Sequence, residues 1–179
     1  MHYIFVSANL KDYQHLQPTF KNGKWQTLAA VPNAGTYYGF VEITPLVGNS
    51  LVLRSELIAQ QASTDALKYP DLTTDQIFTA KNGLKTTLKY ANNIFSYLIV
   101  RANKPVVGLQ PMMGAFGYVT LFKHGEKNSI SHPLPTNTSK PDEGKVEFIS
   151  ALEPGIYTAF AEFKVLNRVT SFPITFEVK

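Results

Sequence analysis

The chain has 179 residues, 44% of them hydrophobic, 12% aromatic and 17% charged, a balance that supports a packed core and excludes a disordered chain. Its 17 basic and 13 acidic residues leave a net charge of +4. The lysines are isolated among polar residues, without the basic stripe and interleaved aromatics that nucleic-acid binding requires. Cysteine is absent, which removes disulfides, thiolate zinc sites and cysteine nucleophiles, and no apolar run reaches membrane-spanning length.

Residues 2–7 alternate as a strand, residues 9–12 read as a turn, and residues 13–18 as an extended segment ended by Pro18. Asn22-Gly23 is a strong type I′ hairpin signal; it joins residues 19–21 to a strand over 25–31. A polar turn at Pro32-Asn33-Ala34 and Gly35 launches a strand over 37–44, followed by a turn near Gly48 and a strand over 51–58. Residues 59–75 turn polar and lose β-branched character, which predicts a linker with room for a short helical turn. Strands follow over 84–90, 95–102, 105–109 and 118–124. A polar, proline-bearing loop over 125–144, expected to be mobile, leads to strands over 145–152, 157–165 and 169–178.

The pattern G-x-Y-x-x-F-x-E occurs twice, as Gly35, Tyr37, Phe40 and Glu42 and again as Gly155, Tyr157, Phe160 and Glu162. Extending the match pairs residues 1–6 with 117–122, Gln17-Pro18 with His132-Pro133 (with one residue of slack), and Gly23-Lys24-Trp25 with Gly144-Lys145-Val146. The expected fold is therefore all-β, with immunoglobulin-like or cupredoxin-like sandwich modules in tandem. Residues 1–58 form the first module, 59–75 the linker and 76–179 the second. The second module has strands over 84–111 with no counterpart in the first, so the first is expected to be incomplete, with open backbone edges. Strands from upstream, a sheet shared between the modules, or a homodimer exchanging strands would each complete it.

Four histidines, His2, His15, His124 and His132, are the candidate chemistry. In the repeat, His2 falls opposite Tyr118 in the alignment, and His15 and His132 occupy equivalent loops. Imidazoles gathered at one end of a sandwich suit copper or zinc; the competing reading is surface or structural histidine. Met112-Met113 offers soft sulfur for Cu(I) or simple loop packing. Asp12 lies near His15, but no serine is placed beside them, and no G-x-S-x-G, P-loop or H-E-x-x-H is present. Glu42 and Glu162 read as cross-strand partners, and Tyr37 and Tyr157 as core or tyrosine-corner residues.

His2, then Tyr13-Gln-His15-Leu-Gln17-Pro18, then Leu109-Gln-Pro-Met-Met-Gly-Ala-Phe116-Gly-Tyr118 and Ser131-His132-Pro133 resemble a family of exported bacterial β-sandwich proteins. That family carries F-x-H-x-H-P, L-G-A-M-G-H and a second H-x-H-P, and is regarded as metal-associated. The resemblance implies metal ligation by His2, His15 and His132. It also implies loss of part of the site, since Gln17, Phe116, Tyr118 and Ile130 stand where the motifs have His, Met, His and His. Family members carry sequence before the leading His, often with an export signal, which implies an extracytoplasmic or cell-surface location. The expectation is a non-enzymatic binding or accessory module with a degraded histidine site; the alternative is a structural or adhesive module for a protein or glycan partner. The metal reading requires the three histidines to converge, the adhesive one an exposed apolar patch.

Overall fold

A computed structural model of the protein describes residues 1–43, 45, 47, 49, 51–59, 67–112, 114–126, 130–136, 141 and 143–179. The fold is all-β, and it divides into two compact units, Met1–Pro70 and Asp71–Lys179. The division falls inside the stretch read as a linker, whose residues 60–66 lie outside the described residues. The end of that stretch belongs to the second unit: Thr73 and Thr175 exchange hydrogen bonds of 2.8 and 2.9 Å, and a 3-10 turn follows at Thr74–Gln76. No described helix is long and apolar enough to cross a membrane.

The first unit contains β1 (His2–Ser7), β2 (Tyr13–Leu16), β3 (Thr19–Lys21), β4 (Lys24–Gln26), β5 (Gly35–Ile43) and β6 (Leu51–Ala59). Four of them make one antiparallel sheet in the order β2-β1-β5-β6, and β3-β4 form a separate hairpin. Asn22 and Gly23 both take positive φ, 53° and 73°, the type I′ geometry predicted from the dipeptide. The strand expected over 25–31 stops at Gln26. Beyond it the backbone of Ala30 is bound by the side-chain amide of Gln14, at 2.6 and 2.8 Å, instead of a neighbouring strand.

The second unit contains β7 (Ile77–Thr79), β8 (Leu84–Ala91), β9 (Ile94–Arg101), β10 (Lys104–Pro105), β11 (Leu109–Gln110), β12 (Tyr118–Lys123), β13 (Leu134–Pro135), β14 (Lys145–Ile149), β15 (Gly155–Val165) and β16 (Arg168–Val178). One sheet runs β13-β14-β9-β8-β7, with β10 on β9; the other carries β12, β16 and β11 around β15. Leu88, Phe95, Tyr97, Ile99 and Phe148 from the first sheet close on Val119, Leu121, Phe163, Phe172 and Ile174 from the second as one buried cluster. Each such aromatic or branched side chain contributes about 1.5–3 kcal/mol of burial. The loop expected to be mobile over 125–144 is partly built into this frame. Leu134 and Pro135 pair with β14, and Ser131 bridges Leu121; residues 127–129, 137–140 and 142 lie outside the described residues.

The repeat is real at the level of register. His2 pairs with Glu42 and Ser7 with Tyr37 across β1 and β5; Tyr118 pairs with Glu162 and Lys123 with Tyr157 across β12 and β15. In both units the tyrosine hydroxyl reaches back four residues to a backbone carbonyl, Tyr37 to Asn33 at 3.1 Å and Tyr157 to Glu153 at 2.8 Å. These are the two tyrosine corners expected from the repeat.

Candidate functional site

β1 and β2 set the principal site. Period-2 alternation puts His2 and Ile4 on one face of β1, and His15 stands opposite Ile4 on β2, one diagonal step from His2. The two rings lie 5.3 Å apart at 60°, with His2 Nδ1 and His15 Nε2 3.3 Å from each other. On the other side of His2 the cross-strand residue is Glu42, half-buried like both histidines. Two nitrogen ligands at about 2.0–2.1 Å on a tetrahedral zinc ion stand roughly 3.3 Å apart, so the pair already has the separation that bidentate capture needs. Among the described residues no three His, Asp or Glu side chains gather as a metal site. A metal ion here would rest on two imidazole nitrogens and draw its remaining ligands from water or a partner.

The second unit carries an equivalent position. Leu121 faces Ser131 where the equivalent Phe5 faces Gln14, so His132 is the equivalent of His15. This corrects the alignment of Gln17-Pro18 with His132-Pro133 by two residues: the strand bridge, not the proline, keeps the register. Tyr118 takes the place of His2, its ring 4.9 Å from that of His132, and Glu162 the place of Glu42. His132 Nδ1 lies 3.1 Å from the Val119 carbonyl, which only accepts, so that nitrogen carries the proton. Of the three candidate ligands, His2 and His15 meet in the first unit, while His132 meets Tyr118 and Val119 in the second.

Of the two further candidates, Asp12 resolves as structural. Asp12 does not orient His15: its carboxylate accepts from the Tyr37 hydroxyl at 2.9 Å and from the Asn33 amide at 3.0 and 3.2 Å. Burial and that bond to Asp12 hold the Tyr37 hydroxyl above its ordinary pKa. Met112 closes a turn with Ala115 through two backbone hydrogen bonds, and Met113 lies outside the described residues.

Sequence reasoning missed a polar chain inside the second unit. His124 Nε2 lies 2.8 Å from Thr158 Oγ1, which lies 2.9 Å from Thr175 Oγ1. Burial holds the His124 imidazole below its ordinary pKa. Thr158 and Thr175 are cross-strand partners and almost wholly buried, so this hydroxyl pair supports the sheet and offers no nucleophile to solvent. Facing threonines on adjacent strands were the available signal.

A second concave feature lies in the first unit, between the β3-β4 hairpin and the sheet. It encloses about 610 Å³ and is lined by Met1, Tyr3, Pro18, Trp25, Val41 and Ile43 among others. Trp25, one of the lining residues, and Phe20 are 56% and 62% exposed, their ring centroids 5.2 Å apart and tilted at 56°.

Residues 78–179, nearly all of the second unit, match a family described as Domain of unknown function (DUF8832). A comparison with curated proteins returns no match.

Proposed function

The chain belongs to the DUF8832 family, and on that premise we propose that it is a non-enzymatic binding module related to metal-handling proteins, working outside the cytoplasm or at the cell surface. In this reading both units are immunoglobulin-like, as their matching tyrosine corners support. The first unit keeps a reduced histidine site and the second has lost it. The observation that carries the proposal is the 3.3 Å approach of His2 Nδ1 to His15 Nε2, against a tyrosine in the place of His2 in the second unit. Copper or zinc is the cargo, since imidazole nitrogen suits both. Capture should weaken in acid, because protonated imidazoles do not ligate.

Calorimetric titration of Zn(II), Cu(II) and Cu(I) into the full chain tests this. We expect micromolar binding that is lost in His15→Ala and kept in His132→Ala. Heat from none of the three ions, or equal loss in both variants, would sink the metal reading. The exposed Phe20–Trp25 pair favours a second reading, an adhesive or structural module with a protein or glycan partner, and that reading stands if the ions do not bind.

A further inference from the structure

We infer that the first unit takes up a β-strand from a partner polypeptide, seated between the β3-β4 hairpin and the β1-β5-β6 sheet. The repeat shows what such a face requires. In the second unit the corresponding face is closed by β9, whose Phe95, Tyr97 and Ile99 are all fully buried. Tyr97 sits between Phe148 and Phe163, with ring centroids 6.0 and 5.5 Å away. By register and repeat, Thr27 and Ile43 stand where Phe148 and Phe163 stand, and both line the cleft of about 610 Å³. The cleft therefore lies at the place that Tyr97 fills in the complete sandwich.

The rest of the face agrees. Leu53 and Leu57 pair with Val41 and Tyr37, as Phe172 and Phe176 pair with Ala161 and Tyr157. Yet Leu53 and Leu57 are 54% and 46% exposed, against 0% and 2% for Phe172 and Phe176. Trp25 is 56% exposed where Val146 is 5% exposed. The backbone edge is open as well: β14 pairs with both β13 and β9, whereas among the described residues β4 pairs with β3 alone.

These observations fix the chemistry of the occupant. It is an extended segment, antiparallel to β4, with aromatic or β-branched residues at alternate positions facing the sheet and polar residues between them. Lys21 and Lys24 face each other at the hairpin tip without a residue like Glu147, which neutralises Lys145 at 2.8 Å in the second unit. An acidic residue on the incoming strand would supply that charge. A second copy of the chain fits less well. Its own β9 is seated already, and its exposed β6 places Ser55, small and polar, between Leu53 and Leu57.

Trp25 is the sole tryptophan, so its fluorescence reports on this cleft directly. The probe is a synthetic peptide of residues 84–101, the β8-β9 hairpin, with Leu98→Glu to set an acidic residue at the position that pairs with Lys145 in the second unit, titrated into the full chain. The control peptide carries serine in place of Phe95, Tyr97 and Ile99. We expect a saturable blue shift of Trp25 at one peptide per chain, and none with the control. Equal shifts from both peptides, or no shift with a chain that sediments as a monomer, would overturn the proposal. No shift with a chain that sediments as a dimer, its Trp25 emission already blue, would also overturn it and assign the face to a second copy.

Discussion

At the scale of single residues, the two tyrosine corners separate two strengths of the same device. Tyr157 donates to one neutral carbonyl, Glu153 O, and its loss as Tyr157→Phe should cost about 0.5–1.5 kcal/mol. Tyr37 also meets the Asp12 carboxylate at 2.9 Å, a charged acceptor, so Tyr37→Phe should cost about 1.5–3 kcal/mol. Urea titration followed by circular dichroism would check the order; a costlier Tyr157→Phe would contradict it. His124 makes a pH prediction. Burial keeps its folded-state pKa low, so as pH falls the unfolded chain takes up the proton first. Stability is then complete above about pH 6.5 and declines as pH drops toward the lowered value. His124→Gln keeps a hydrogen-bonding group for Thr158 and removes the titration. Its melting temperature should fall less between pH 7 and pH 5 than the parent's, and parallel profiles would remove His124 from the account.

At the scale of elements, the same hairpin glycine has two neighbourhoods. Gly23 and Gly144 both take positive φ, 73° and 69°, and a Cβ on Gly23 would meet nothing within 4 Å. A Cβ on Gly144 would lie 2.5 Å from the Ile99 carbonyl oxygen and 2.9 Å from the Val106 nitrogen, backbone atoms that cannot swing aside. Gly23→Ala should therefore cost about 1–2 kcal/mol from its left-handed backbone alone. Gly144→Ala should cost clearly more, as measured by denaturant midpoints; equal costs would mean that β9 gives way easily. The contrast also shows how far the sequence could be read. Strands, the Asn22-Gly23 turn and the tyrosine corners were legible because local chemistry dictates them. β7 and β13 were not, since Ile77–Thr79 and Leu134–Pro135 become strands only through pairing with β8 and β14. The meeting of His2 with His15 was half-legible. The repeat placed both residues in one module, but the alternation of two antiparallel strands decides that their rings face each other.

At the scale of the whole molecule, the two units differ in what they bury by themselves. In the second, two sheets close over Phe95, Tyr97, Phe148, Phe163 and Phe172, a core sufficient for cooperative folding even with the Tyr97 hydroxyl left unpartnered inside it. Within the first, β6 is an edge strand whose Leu51, Val52, Leu53, Leu57 and Ile58 are 42–63% exposed, a template for unwanted pairing. Among the described residues of 1–70 no second sheet pairs with or extends over it. Expressed alone, residues 71–179 should melt in one sharp transition with dispersed amide resonances. Residues 1–70 alone should show neither, or should associate through β6. Adding Zn(II) at saturating concentration should not rescue that fragment, because two imidazole ligands between β1 and β2 do nothing for the exposed apolar residues of β6. A sharply melting, monomeric 1–70 fragment would show that one sheet and a hairpin suffice, and would remove the physical need for a partner strand.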